Sequence, residues 1–408
     1  MKPSIGVIGA GPAGIAAALE AARSGARVTL YDGNSSPGKK LLVTGSGRCN
    51  ITNANVVPSR YFSSSPLQLL DPVFEEISHS SLIEWLEQLN IPTYQTEDGW
   101  FYPISNSAAN VVEILVAHLK QLDVIIQTNF EIAKIDVFPK GFRLITETGE
   151  KMEHGKIIVA CGGKAYPNLG SKGNLFTQIQ NLGHSILEMT PALAPVMTEV
   201  KTTRPIQGVR LDAKITLYQR NQPLQTTIGN VIFTDFGING PGVMDLSHNI
   251  SRILQNNPGS SLWLEVDFSA GNQTKLRKVL EARESQNLAV KVLLLSLFPP
   301  KLTWFLLERA NIPAETKVSE LNQPQIENII KRITQFSVEV KGVRGFEYCQ
   351  VAAGGIPLEK INLPTMQSRI VPNLYFAGEI IDVTGPCGGY NLHWAWISGI
   401  MAGRSAGI

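Results

Sequence analysis

Residues 4–32 read SIGVIGAGPAGIAAALEAARSGARVTLYD, and this stretch decides the fold. Residues 4–8 form a short apolar run suited to a buried strand. Gly9, Gly11 and Gly14 then make G-x-G-x-x-G. Residues 13–24 read as a helix of small residues, and residues 27–31 as a second apolar strand closed by Asp32. An acidic residue about 20 positions past the first glycine completes the βαβ pattern of a dinucleotide site. Gly9 permits the tight strand-to-helix turn, Gly11 lets backbone approach a pyrophosphate, and Gly14 lets the helix pack closely. Pro12 and Ala13 open a helix whose N–H groups and positive dipole end suit phosphates. Asp32 can accept hydrogen bonds from ribose hydroxyls, and its charge disfavours an added 2′-phosphate. The pattern therefore favours FAD or NAD over NADP.

Composition bounds the alternatives. A chain of 408 residues suits two or three domains, and 43% hydrophobic with 17% charged residues can bury large cores. The formal charge of +2 makes no electrostatic case for nucleic acid. Cys49, Cys161, Cys349 and Cys387 are scattered, without C-x-x-C spacing, so neither a zinc site nor a local redox dithiol is expected. A reduced, cytoplasmic setting fits. Lys2 before an apolar stretch resembles the start of a signal peptide, but Glu20 and Arg23 interrupt that stretch. The apolar segment 290–298 is cut by Pro299 and Pro300 and is shorter than the ~20 residues that span a bilayer. No membrane partner is expected.

Beyond Asp32, residues 33–53 (GNSSPGKKLLVTGSGRCNITN) are too rich in Gly, Ser and Asn for a regular element. Lys39, Lys40 and Arg48 stand among small residues, which suits a phosphate or a reduced flavin ring. Leu82, Trp85, Leu86 and Leu89 recur at helical spacing, as do Val111, Ile114, Leu115, His118 and Leu122. His118 reads as a structural histidine. Trp100, Phe101 and Tyr102 read as packing residues that could border a substrate cavity.

Residues 124–126, 131–138, 142–148 and 156–161 are strand-like, a meander leading to a buried strand that ends at Gly162 and Gly163. A helix is expected near 175–182. Pro191 and Pro195 mark a boundary. Segments 209–219, 226–235 and 261–268 are β-branched. Helical patterns follow at 275–285, 287–298, 301–309 and 325–334. A further short strand spans 373–376. The domains expected are a first part of a nucleotide-binding domain (1–190), a β-rich insert (191–270), a helical insert (271–334), a return strand (335–345) and the second part of the first domain (346–408).

The last strong motif is Gly388–Gly389 ahead of a C-terminal helix that starts around Tyr390. A helix end aimed at the N1–C2=O edge of a flavin would stabilise the anionic reduced ring. Glu379, after a buried strand, could accept bonds from ribityl hydroxyls. Ala395, Ser398, Gly399 and Gly403 are small at helical spacing and should permit close packing on the sheet.

With these motifs the chain resembles, nearly end to end, the BaiN-like, aminoacetone-oxidase-like family of FAD flavoproteins. The specific points are GAGPAG at 9–14, KKLLVTGSGRCNITN at 39–53, GGKAYPNLGSKG at 162–173, FTDFGINGPGVMDLS at 233–247, AAGGI at 352–356 and LYFAGEIIDVTGPCGGYNLHWAWISG at 374–399. The resemblance implies an α/β fold: a glutathione-reductase-like Rossmann FAD-binding domain with an inserted β-barrel and a small helical domain. It implies non-covalent FAD in a bacterial cytoplasm. By the match, Gly9, Gly11, Ala13, Gly14 and Asp32 hold the ADP part. Lys40, Leu41, Arg48, Cys49 and Asn50 line the loop over the cofactor. Glu379 meets the ribityl chain, and Gly389, Tyr390, Asn391 and Leu392 the pyrimidine end of the flavin. The expected contacts also include Pro12, Gly33, Thr44, Gly47, Ile132, Ala160, Gly162, Gly163, Gly378 and Gly388. Trp100, Cys161, Asn174 and His393 depart from the family pattern.

The function expected is an FAD-dependent oxidoreductase that moves hydride through flavin N5 on a small organic substrate. His393 and Tyr390 are the candidate proton-handling residues. No second G-x-G-x-x-G in βαβ context occurs, so a nicotinamide would dock transiently as donor. The alternatives are an FAD amine oxidase using oxygen, and a flavin-binding redox sensor without turnover.

Overall fold

The computed structural model describes residues 3–282 and 287–408. Two compact units emerge: Met1–Thr190 together with Gln350–Ile408, and Pro191–Cys349.

The first unit is built on a seven-stranded sheet. In it the strand Ser4–Ile8 is flanked in parallel by Arg27–Tyr31 and Lys156–Val159. Ile125–Gln127 extends one side, and Leu374–Phe376 joins Lys156–Val159 on the other. The first and last parts of the chain thus share one sheet. Ile5, Val7, Ile157, Ile158 and Phe376 are fully buried, as parallel strands covered on both faces require. The predicted first helix is observed at Pro12–Arg23, with Pro at its start. It packs against the C-terminal helix Tyr390–Gly407.

This corrects one expectation. The small residues of the C-terminal helix face the first helix more than the sheet. A Cβ at Gly399 would strike the Ala13 carbonyl, and one at Gly403 the Ala17 carbonyl. Glu20 locks the same junction, accepting from Arg404 Nε at 2.8 Å, Arg23 Nη1 at 2.7 Å and Trp85 Nε1 at 2.9 Å. Burial works to raise the Glu20 pKa, but these three donors hold it below its ordinary value.

Segment 33–53 is more regular than expected. A 3₁₀ segment spans Leu41–Gly47, broken where Gly45 and Ser46 turn left-handed. Thr52–Asn53 pairs as a strand with Trp100–Pro103. The pairing partner lies about 50 residues away, so local composition carries no trace of it. The meander Ile132–Phe138, Gly141–Thr146 and Lys151–His154 forms its own antiparallel sheet. Its third strand, Lys151–His154, was not among the expected strands.

The second unit contains a closed six-stranded barrel, in the order Val196–Thr198, Gly237–Asn239, Gln222–Phe233, Arg210–Gln219, Leu262–Asp267 and Phe336–Val343. Side chains alternate inward and outward along Phe336–Val343, which closes the ring. Phe268 stacks on Phe336 at 5.4 Å inside the unit. The helices Gln273–Glu281, Val290–Leu295, Pro300–Ala310 and Gln323–Thr334 precede that strand. The helix expected at 287–298 starts later, because Ala289 is extended and bridges Lys317. The end of the helix expected at 275–285 lies outside the described residues, as does Lys2. No described helix is long and apolar enough to cross a membrane.

Candidate active site

The glycine-rich turn behaves as its spacing demands. Gly9 sits at φ 102°, where a Cβ would strike the Ala160 carbonyl. A Cβ on Gly14 would strike the Gly9 carbonyl, so both positions are closed to side chains. Gly11 is different: nothing lies within 4 Å of where its Cβ would stand. It is the N-cap of the helix Pro12–Arg23 and offers no side-chain cap. The helix end therefore presents bare backbone to open space, the surface a pyrophosphate needs.

Asp32 organises the turn beside it. Its Oδ2 accepts the Ala10 N–H at 2.6 Å, and its Oδ1 accepts the Asn34 N–H at 2.7 Å and Asn34 Nδ2 at 2.9 Å. Gly38 N–H donates to Ala10 O at 2.8 Å. Gly33 lies against Glu131, which binds Asn174 and lies 3.5 Å from Lys172. Ile132, next in sequence, is 3% exposed in the meander.

Glu379 is the second junction. Its Oε2 lies 2.6 Å from Lys40 Nζ, and its Oε1 accepts the Ala352 N–H at 2.9 Å. A Cβ on Gly163 would stand 2.8 Å from Glu379 Oε1, so a side chain here would press on this carboxylate. Gly378, at φ 78°, donates its N–H to Ser398 Oγ at 2.9 Å and lies against Ala13. Gly162 is left-handed too, close to Ser171. Cys161 is beside it, and burial pushes its thiol up to about 12.

The loop of Leu41, Thr44 and Gly47 leads into Arg48. Thr44 Oγ1 donates to Leu41 O at 2.6 Å. Arg48 lies over the Tyr102 ring at 4.5 Å and donates to the Tyr102 hydroxyl at 3.3 Å. Cys49 is fully buried at φ 65°, and burial pushes its thiol up to about 12. A thiol so protonated is not a nucleophile at neutral pH.

The strand after this loop grips the C-terminal glycine turn. With the Asn50 amide oriented to satisfy both neighbours, its oxygen accepts the Gly389 N–H and its nitrogen donates to Thr52 O, each at 3.2 Å. Asn53 Nδ2 donates to Gly388 O at 2.9 Å. Trp100 Nε1 would stand 2.8 Å from a Cβ on Gly388. Gly388 and Gly389 have φ 107° and 95°, and Gly389 is the N-cap of Tyr390–Gly407, again without a side-chain cap. Asn391 spends its side chain on Gly385, donating and accepting at 2.8 Å. Leu392 packs partly buried on the core. Asn53, Thr52 and Trp100 were not among the expected contacts; their proximity comes from strand pairing.

The structure places His393 in the core. It is 0% exposed, its Nδ1 lies 2.8 Å from Thr52 Oγ1, and its ring lies against Phe74. Burial, reinforced by His79, pulls its pKa down to about 3, so the ring is neutral. Tyr390 is 6% exposed, with its hydroxyl 3.5 Å from Asn55 O and its carbonyl accepting from Tyr61 at 2.9 Å. His118 Nε2 lies 3.0 Å from Leu89 O, a structural role.

These residues fit an FAD. Two uncapped helix ends and two carboxylates at strand ends lie in one unit, with closed glycines around an open Gly11. Among the described residues no cluster suits a metal ion.

Comparison with known proteins agrees. The model of the HI0933-like protein Rossmann domain family matches residues 3–405. A 3-dehydro-bile acid delta(4,6)-reductase of Clostridium scindens is 34% identical over 407 residues, 98% of each chain. A ribosomal RNA dihydrouridine synthase of Escherichia coli is 28% identical, covering 96% of this chain and 95% of that one. The crystal structure of a 3-ketosteroid-Δ4-(5α)-dehydrogenase of Rhodococcus jostii shares the fold, with TM-score 0.53 at 14% identity over 99% of this chain and 96% of that chain.

Proposed function

The chain belongs to the HI0933-like family and is an oxidoreductase on a flavin-binding Rossmann fold; we propose that it reduces a carbon–carbon double bond conjugated to a carbonyl, with a reduced nicotinamide as transient donor. One observation carries this reading. The uncapped end of the 18-residue helix Tyr390–Gly407 is held in place by Asn50, Asn53 and Trp100. Such an end stabilises negative charge, which favours the reduced ring.

The relatives' names narrow the substrate class. A 3-dehydro bile acid with Δ4,6 unsaturation and a uracil ring both carry a C=C bond conjugated to a carbonyl. When bound, FAD supplies the hydride chemistry at N5. The protein's share is placement. Gly9, Gly11 and Gly14 admit the pyrophosphate, Asp32 and Glu379 supply acceptors for sugar hydroxyls, and the Gly388–Gly389 turn aims the helix end. Burial keeps His393 neutral, so its part is to hold Thr52 beside Gly389.

Anaerobic stopped-flow tests this. FAD-loaded protein should bleach with NADPH or NADH, and its colour should return on adding a 3-oxo-4-ene steroid or a uridine-containing RNA. Return with the RNA alone would assign the substrate to nucleic acid. Bleaching by amines only, with peroxide formed in air, would overturn the reductase in favour of an oxidase.

A further inference from the structure

The 40–50 loop carries two cations whose sites are known, and they are treated differently. Lys40 is neutralised by Glu379. Arg48 is exposed and makes no ion pair among the described residues. It is nevertheless held. The left-handed residues Gly45 and Ser46 set the loop, Nε donates to Gly45 O at 3.2 Å, and Nη2 donates to the Tyr102 hydroxyl. The guanidinium lies over the Tyr102 ring. Of the five N–H donors of a guanidinium, Nη1 keeps both of its own without a partner among the described residues. An exposed arginine normally samples many rotamers; this one is fixed before anything binds, with unspent donors and an unbalanced charge.

Its position gives that charge a use. Trp100 and Tyr102 are two apart on one strand, so they share a face roughly 7 Å from each other. Trp100 lies against the Gly388 turn. The cation therefore stands about one residue pair along the strand from the turn assigned above to the flavin.

We propose that Arg48 is a specificity-determining residue that binds an oxyanion, carboxylate or phosphate, on the far end of the substrate. A planar, pre-ordered guanidinium matches either group in bidentate fashion. The proposal rests on the reading of Gly388–Gly389 as the flavin end, but it is a claim about recognition rather than chemistry.

The test is ligand binding to the oxidised, FAD-loaded protein, read from the perturbed flavin spectrum. The probes are a 3-oxo-4-ene steroid acid with its methyl ester, and uridine 5′-monophosphate with uridine. In one of these pairs the anion should bind at least tenfold more tightly, and that preference should weaken as salt rises. Compared at equal FAD loading, Arg48→Gln should abolish the preference by weakening the anion and not the neutral probe, and Arg48→Lys should restore part of it. The pair that discriminates identifies the source, carboxylate or phosphate. No preference for the anion in wild type, or equal losses for anion and neutral probe in Arg48→Gln, overturns the proposal. Should Arg48→Gln lose FAD, the wild-type preference and its salt dependence decide. A protein that discriminates by charge yet never reoxidises with any conjugated carbonyl overturns the proposed function and leaves the anion site standing.

Discussion

Lys40 Nζ and Glu379 Oε2 stand 2.6 Å apart, an ion pair that joins positions 339 apart in the chain. Each side chain keeps about a fifth of its surface exposed, so the pair is neither a free surface contact nor a fully buried one. It ties the loop after the second strand to the end of the last parallel strand, and the Ala352 N–H adds a second partner on the other carboxylate oxygen.

Lys40→Met should therefore destabilise the apoprotein by about 1–2 kcal/mol, between the surface and buried limits. Thermal denaturation measures this as a drop of roughly 2–6 °C. Glu379→Gln should cost less stability and weaken FAD binding about tenfold, read by equilibrium dialysis. A Glu379→Gln protein with unaltered FAD affinity would remove Glu379 from the cofactor.

Gly11 and Gly389 should separate cofactor binding from folding. Gly11 has open space around it and an ordinary φ of −78°, so Gly11→Ala should leave apoprotein stability within about 0.5 kcal/mol. FAD affinity should still fall at least tenfold, because the methyl group would occupy the pyrophosphate's approach. Gly389 has φ 95°, and a Cβ there would stand 2.5 Å from Thr52 O. Gly389→Ala should cost more than about 2 kcal/mol even without cofactor. Thermal scans of both apoproteins, with FAD titrations, check the contrast.

His154 makes stability pH-dependent. Its ring bridges Ser4 Oγ at 3.1 Å and the Tyr31 hydroxyl at 2.9 Å, and burial pulls its pKa from 6.5 to about 4. The unfolded chain takes up a proton at higher pH than the folded one. The stability linked to His154 is full above pH 6.5 and is lost as pH falls from 6.5 towards 4. At most about 3 kcal/mol is at stake. His248 in the barrel unit, pulled down to about 4, and His393, at about 3, add losses of the same sign. His154→Phe should flatten the fall in melting temperature between pH 7.5 and 5 by about one proton's worth of slope, and an unchanged slope would exclude His154 as its source.

Glu20→Ala should destabilise without touching the cofactor site. It strands Trp85 Nε1, which is buried, and frees Arg404 and Arg23 from their carboxylate. A loss of about 2–4 kcal/mol is expected, since a buried donor is left unmade. Protein that still folds should bind FAD in the same stoichiometry, measured by absorbance after desalting.

By itself the sequence determined the βαβ start, because G-x-G-x-x-G and Asp32 obey local rules of turn geometry that no distant residue needs to supply. It determined three of the six barrel strands, from their β-branched composition, and the helix after Gly388–Gly389. Only the tertiary structure decided that Thr52–Asn53 pairs with Trp100–Pro103, that Glu379 also holds Lys40 and the Ala352 N–H, and that the small face of the last helix meets the first helix. It also showed that His393, a candidate proton-handling residue, is fully buried, with burial pulling its pKa down to about 3. Those facts depend on contacts between residues tens to hundreds of positions apart. Such contacts are selected by the free energy of packing the whole unit, so no window of local sequence records them.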